Sequence, residues 1–166
     1  MKKLIVIVLF LSGSISYAQN MNNISLQEII EKKADTVGGV VGNWKFIYKE
    51  TPMLCVTDEA NNRMRIIAPI TESDNLDKEL LLDSLTANFH SALDVKYAIA
   101  NGILWSVYIH PLKELTNEQV ESAISQVYYA AQTFGTTFTS TELIFGGRNT
   151  QEKQPKEIKK EHLRKF

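Results

Sequence analysis

Cysteine is almost absent. Cys55 stands alone, so no disulfide can form within the chain and no cysteine-rich metal site can be assembled. It sits in the apolar run Met53-Leu54-Cys55-Val56 and reads as a buried, inert thiol, a small core hydrophobe rather than a nucleophile. Histidine is scarce too: His90, His110 and His162 are the three present, and no HxH or HExxH spacing joins any of them. A zinc site needs three or four converging ligands, so the expectation is no metal and no cofactor. No serine lies in a GxSxG elbow. The glycines at 38, 39 and 42 have neither GxGxxG spacing nor a P-loop lysine, and read as a linker between helix and strand. The carboxylates Asp74, Asp77, Glu79 and Asp83 gather at a helix start, where the helix dipole accounts for them. No catalytic residue is nominated.

Long apolar runs are missing everywhere except at the start. MKKLIVIVLFLSGSISYAQN has a Lys2-Lys3 cluster, an apolar run too short to span a bilayer, and small residues leading to Ala18. It reads as a secretory signal peptide over residues 1–18, with no cysteine behind it to take a lipid. The mature chain is expected to be exported, periplasmic or extracellular, with no transmembrane anchor. About 148 residues would then remain, which suits one domain with one core. Charge is unevenly placed. Without Lys2 and Lys3, 16 basic residues face 19 acidic ones. Residues 151–166 hold six basic and three acidic residues, net +3, which leaves −6 for residues 19–150. An acidic domain is a poor match for a phosphate backbone, so nucleic acid is excluded as the ligand of the folded part. The basic tail has few apolar residues and reads as disordered, able to touch an anionic surface weakly.

What is present is periodicity. Ser25-Leu26-Gln27-Glu28 has the form of a capping box, and with Leu26, Ile29 and Ile30 at helical spacing it predicts a short helix over residues 25–35. Trp44, Phe46 and Tyr48 then alternate with Lys45, Ile47 and Lys49 as in a strand. Thr51-Pro52 reads as a turn into a second strand over residues 53–57. The polar cluster at residues 58–62 leads to a third, in which Met64, Ile66 and Ala68 alternate with Arg63, Arg65 and Ile67. Residues 78–93 predict the main amphipathic helix, with Leu81, Leu82, Leu85, Phe89, Ala92 and Leu93 on one face. Val95, Tyr97 and Ile99 alternate up to Asn101-Gly102, a tight hairpin signal, and Ile103, Trp105, Val107 and Ile109 alternate beyond it until Pro111 closes the strand. Thr116-Asn117-Glu118-Gln119 is a second capping box. It opens a helix with Val120, Ala123, Ile124, Val127, Ala131 and Phe134 as its apolar stripe and Gly135 as its stop. Phe138, Leu143, Ile144 and Phe145 are expected to pack back on the domain.

The fold class is therefore α+β: a twisted antiparallel sheet of about five strands with helices packed against it, in the order α-β-β-β-α-β-β-α. By parity His110 shares a side with Leu104, Ser106 and Tyr108, and the opposite side, Ile103 to Ile109, is taken as the core face. Trp44, Phe46, Tyr48, Trp105 and Tyr108 are a large aromatic supply, to be spent in the core or on a binding surface.

That element order, with LLLDSLTANFHSALDVKYAIANGILWSVYIHPLKELTNEQVESAISQVYYAAQTF, resembles the YbjN-like proteins and the class I type III secretion chaperones that share their fold. The pieces that carry it are Leu81-Leu82 to Asn88-Phe89, the Asn-Gly hairpin ending in His110-Pro111-Leu112, and Leu115-Thr116 at the last helix start. The resemblance spans about residues 24–145, and with the leader read at 1–18 and the basic tail at 151–166 it leaves a YbjN-like domain at 19–150. It implies a homodimer joined around the middle helix and its neighbouring strand, with Leu85, Phe89, Val95 and Tyr97 as contact candidates. It also implies exposed apolar patches that hold an extended partner chain, for which Trp44, Phe46, Tyr48, Met53, Leu54 and Val56 are the candidates. The leading expectation is an exported, non-enzymatic binding or chaperone-like domain with a protein or peptide partner. The rival is a small-molecule-binding protein or hydrolase whose pocket uses His90 or His110 with a nearby carboxylate.

Overall fold

The computed structural model describes residues 20–141. The expected leader and basic tail lie outside the described residues, as do Leu143, Ile144 and Phe145. Helix α1 (Asn23–Lys33) leads into β1 (Thr36–Val40), β2 (Asn43–Tyr48), β3 (Thr51–Asp58) and β4 (Arg63–Glu72). A 3-10 turn (Ser73–Asn75) precedes α2 (Lys78–His90), then come β5 (Lys96–Ala100), β6 (Ile103–His110) and α3 (Asn117–Thr133). All neighbouring strands are antiparallel, in the spatial order β1-β2-β3-β4-β6-β5.

The sheet has six strands rather than about five, because the glycine-rich stretch read as a linker is itself an edge strand. Its glycines make the pairing possible. Gly39 has φ +107 and lies opposite Trp44, and a Cβ there would stand 2.3 Å from the Asn43 carbonyl oxygen. The expected turn at Thr51-Pro52 also moves: both residues belong to β3, and the chain reverses at Lys49 and Glu50, with φ of 47 and 63. The first helix starts earlier than the Ser25 capping box suggests. Asn22 is the N-cap, its side-chain oxygen accepting the backbone N–H groups of Ile24 at 2.9 Å and Ser25 at 3.0 Å. The Thr116 box forms as expected, with Gln119 N–H donating to Thr116 Oγ1 at 3.2 Å and Thr116 N–H donating to Gln119 Oε1 at 2.8 Å. Asn101 and Gly102, both at positive φ, make the hairpin turn.

Helices α1 and α3 pack on each other, α3 lies against β4 and β6, and α1 reaches β1. Leu26, Ile29 and Ile30 of α1 and Val120, Ala123, Ile124 and Val127 of α3 are buried there. The sheet meets them with Trp44, Phe46, Met53, Cys55, Met64, Ile66, Leu104 and Tyr108, all buried. Each large apolar side chain removed from water in this way contributes about 1.5–3 kcal/mol.

The face assignment of β6 is the reverse of the sequence expectation. Leu104, Ser106 and Tyr108 are buried, while Ile103, Trp105 and Val107 are half-buried and Ile109 is 60% exposed. The open side of this strand is the more apolar of the two, so alternation points to the wrong face. Hydrogen bonds suit the observed choice: Ser106 Oγ donates to the Val127 carbonyl and Tyr97 Oη to the Ala130 carbonyl, each at 2.9 Å. The polar atoms of the buried face thus find partners on α3.

Candidate functional site

With one face of the sheet under helices, strand register defines what stands on the other. One row crosses it as Lys45, Leu54, Ile67, Val107 and Lys96, paired strand to strand. The next row runs Asn43, Val56, Arg65 and Ile109, and on the other side Trp105 lies between Pro69 and Ala98. Among the residues of this face in the six strands Pro69 is buried, and the rest are half-buried or exposed. Leu54, Val56, Ile67, Trp105, Val107 and Ile109 therefore form an apolar surface bordered by Lys45, Arg63, Arg65 and Lys96. Asp58, opposite Arg63, and Glu72, opposite Ile103, are the carboxylates at its margins, and an apolar surface with a charged rim is the kind that receives a partner. The Trp105 indole N–H is tied down, donating to the Ala100 carbonyl at 3.1 Å.

A second apolar surface lies on α2. Leu82, Leu85 and Phe89 follow at three- and four-residue spacing and stand in solvent, Leu85 at 62% and Phe89 at 86% exposure, with Leu93 and Ile99 exposed near them. The helix turns only Ser84 and Ala87 fully inward. Its expected core stripe is thus mostly a surface stripe, although Ala92 is buried. Asp77 caps the helix by accepting Leu80 N–H at 2.9 Å, and Asn88 clamps its far end to β5, accepting Tyr97 N–H at 2.7 Å and donating to the Tyr97 carbonyl at 3.2 Å.

The structure distributes the sequence candidates unevenly. Of the partner-binding group, Trp44, Phe46 and Met53 are core residues beneath the helices, while Leu54 and Val56 stand half-buried on the open sheet face. Tyr48 is half-buried beside Tyr128 and Tyr129, with the Lys49 ammonium 5.5, 5.3 and 5.4 Å from the Tyr48, Tyr128 and Tyr129 ring centroids. Of the dimer group, Leu85 and Phe89 are exposed, whereas Val95 and Tyr97 are buried and offer a partner no surface. On β2 and β5 the aromatic side chains of Trp44, Phe46 and Tyr97 turn toward the helices, where they remove the most area from water, and Met53 follows by its register with Phe46. Ile67, Val107 and Ile109 are not among the partner-binding candidates, although Ile103, Trp105, Val107 and Ile109 on one side of β6 already imply a cover for that side.

Cys55 is fully buried, and burial pushes its thiol up to about 12, so it stays protonated and unreactive at neutral pH. His90 lies exposed in the last turn of α2, edge-on to the Phe89 ring with centroids 4.9 Å apart. His110 is at the end of β6, where its Nδ1–H donates to the Pro111 carbonyl at 2.8 Å. It shares a cleft of about 400 Å³ with the carboxylate of Asp94 and with Tyr108, and His90 does not line that cleft. Ser122 also lines it, but its Oγ accepts the Gln126 amide N–H at 3.1 Å and no hydrogen bond joins it to His110, so the geometry is not that of a nucleophile with its base. Among the described residues no three His, Cys, Asp or Glu side chains converge on a metal position, and no helix is long and apolar enough to cross a membrane.

No protein-family profile matches the chain, and no match is found among curated proteins. Solved structures do match. The chain superposes on the HopA1–SchA chaperone–effector complex with a TM-score of 0.52 at 11% identity, covering 66% of this chain and 88% of that one. The ExsC–ExsE complex gives a TM-score of 0.52 at 11% identity, covering 68% and 92%. The Yersinia pestis type III secretion chaperone SycH, in complex with a stable fragment of YscM2, gives 0.52 at 12% identity, covering 68% and 98%. At this identity the likeness is one of fold: the α+β architecture is that of secretion-chaperone structures.

Proposed function

We propose that the protein is an exported, YbjN-like, non-enzymatic domain that holds an apolar segment of a partner protein on the open face of its sheet and works as a homodimer joined through α2. The observation that carries the reading is the uncovered apolar row Leu54, Ile67 and Val107, with Trp105, Val56 and Ile109 beside it. A monomer gains nothing by leaving such a row in water, whereas an extended or helical partner segment would bury it. Lysines and arginines around the row favour a segment with acidic flanks. The solved structures of like fold were obtained as chaperone complexes with protein partners, which agrees with this use of the fold by analogy. The exposed stripe Leu82, Leu85 and Phe89 supports the dimer, because a two-fold pairing of α2 helices would cover it.

The test is a peptide array of extended apolar segments with acidic or basic flanks, probed with the purified protein and with Val107→Glu, whose charge would stand on the open face without entering the core. Retention of acidic-flanked peptides by the wild type and their loss in a Val107→Glu protein that is folded by circular dichroism is the expected result. Binding that is absent, or equal in the two proteins, overturns the sheet face as the site.

A further inference from the structure

The cleft beside His110 shares Lys96 and Ile109 with the margin of the open face, but most of its lining is polar. It opens where the start of β5, the end of β6 and the first half of α3 meet. Leu93, just before β5, adopts φ 50, a left-handed conformation that is unfavourable for a leucine. The next residue, Asp94, is then held from both of its ends by one side chain. Gln126, buried on α3, accepts the Asp94 backbone N–H through Oε1 at 3.3 Å and donates from Nε2 to Asp94 Oδ2 at 3.3 Å. The same Nε2 donates to Ser122 Oγ at 3.1 Å. A buried amide spent on one surface carboxylate leaves Asp94 Oδ1 as a positioned acceptor with no hydrogen bond among the described residues.

Tyr108 is the second observation. It is 5% exposed, it lines the same cleft, and its hydroxyl makes no hydrogen bond among the described residues. Burial first, and the Asp94 charge second, raise its ionisation above the ordinary tyrosine value, so the hydroxyl stays neutral beside the carboxylate. Its hydroxyl opens into the cleft, where a ligand's donor can take the place of solvent. The His110 ring is fixed by its Nδ1–H donating to the Pro111 carbonyl, and its plane lies within 14° of that of Tyr108. Lys96 on the rim donates its ammonium to the Leu93 carbonyl.

The geometry points to a binding site for a guanidinium group, held by Asp94 Oδ1 and the Tyr108 hydroxyl with the His110 ring beside it. A guanidinium is a flat fork of five donors, so one group can reach separated acceptors at once, and its weak hydration suits aromatic walls. An ammonium is compact and strongly hydrated and meets such a set less well. The net charge of −6 over residues 19–150 steers a cation toward the domain. The group comes either from an arginine side chain of a partner protein or from a free guanidino compound.

Backbone-amide NMR titration of the full chain with N-acetyl-arginine N-methylamide, the corresponding lysine derivative, the peptide Gly-Arg-Gly and agmatine tests this. The arginine derivative is expected to shift the amides of Asp94, Tyr108, His110 and Gln126 with a millimolar Kd, and the lysine derivative to bind about tenfold more weakly. Asp94→Asn should lower the arginine affinity about tenfold and Tyr108→Phe about threefold, each in a protein with unchanged melting. Val107→Glu should leave it unchanged, so failure of the sheet face and failure of the cleft are read separately. Tighter binding of Gly-Arg-Gly than of agmatine identifies a partner's arginine as the source, and the reverse order a small guanidino compound. No shift by either compound up to about 20 mM, equal binding of the lysine derivative, or an Asp94→Asn protein that binds as well as the wild type overturns the proposal.

Discussion

Lys49 and Glu50 reverse the chain between β2 and β3 with both residues in the left-handed region, a conformation that glycine or asparagine adopts at lower cost. Lys49 has a compensating role, since its ammonium reaches three tyrosine rings and those rings raise its ionisation, Tyr48 first. Among the described residues no comparable contact accompanies Glu50, which is exposed. Glu50→Gly should therefore stabilise the protein by about 0.5–1 kcal/mol, the relief of strain exceeding the added freedom of the unfolded chain, as read from the urea midpoint. A lower midpoint would mean that Glu50 holds the turn in a way its geometry does not reveal. The signal for the reversal was weak in the sequence, where Thr51-Pro52 is the stronger turn dipeptide. Pro52 instead sits within β3 opposite Ile47.

Elements are joined by a few directed hydrogen bonds whose removal can be weighed. Tyr97 on β5 donates to the Ala130 carbonyl in the last turn of α3, one of the acceptors that a helix end leaves without a partner. Tyr97→Phe keeps the ring contacts with Phe134 and Phe138 and leaves that carbonyl unpaired, so a loss of about 1–2 kcal/mol is expected in chemical denaturation. The β3–β4 turn is pinned to the loop before α3 through Asn62, which accepts the Lys113 N–H at 2.8 Å and donates to Glu114 Oε2 at 2.9 Å. The Asn62 hydrogen bond is the main cause of a lowered Glu114 ionisation. A carboxyl lowered in the folded state stabilises above its unfolded value, near 4.5, and loses that contribution as pH falls through the folded value. The stability difference between wild type and Asn62→Ala, followed by thermal melting, should hold from neutral pH to about 5 and narrow below about 4. A difference that stays constant into acid would remove Glu114 from the account.

For the whole molecule, the two apolar surfaces exposed among the described residues make the proposed pairing testable by mass. Light scattering of the purified protein should give the mass of a dimer, and Leu85→Asp, which alters a 62% exposed position, should give a folded monomer. A wild-type monomer would leave the α2 stripe for another partner and end the two-fold reading. Period-two and period-three-to-four spacing, capping residues and the Asn-Gly turn act over a few neighbours, and they were enough to state most strands, the three helices, the hairpin, the buried Cys55 and the α+β class in advance. Those local rules could not decide which face of a strand meets the helices. Whether Leu104 or Val107 meets the helices, whether Leu85 is core or surface, and whether Asp94 stands beside Tyr108 depend on how α1, α2 and α3 divide a six-stranded sheet among them. That division is decided by contacts far apart in sequence, information that no short window of residues contains.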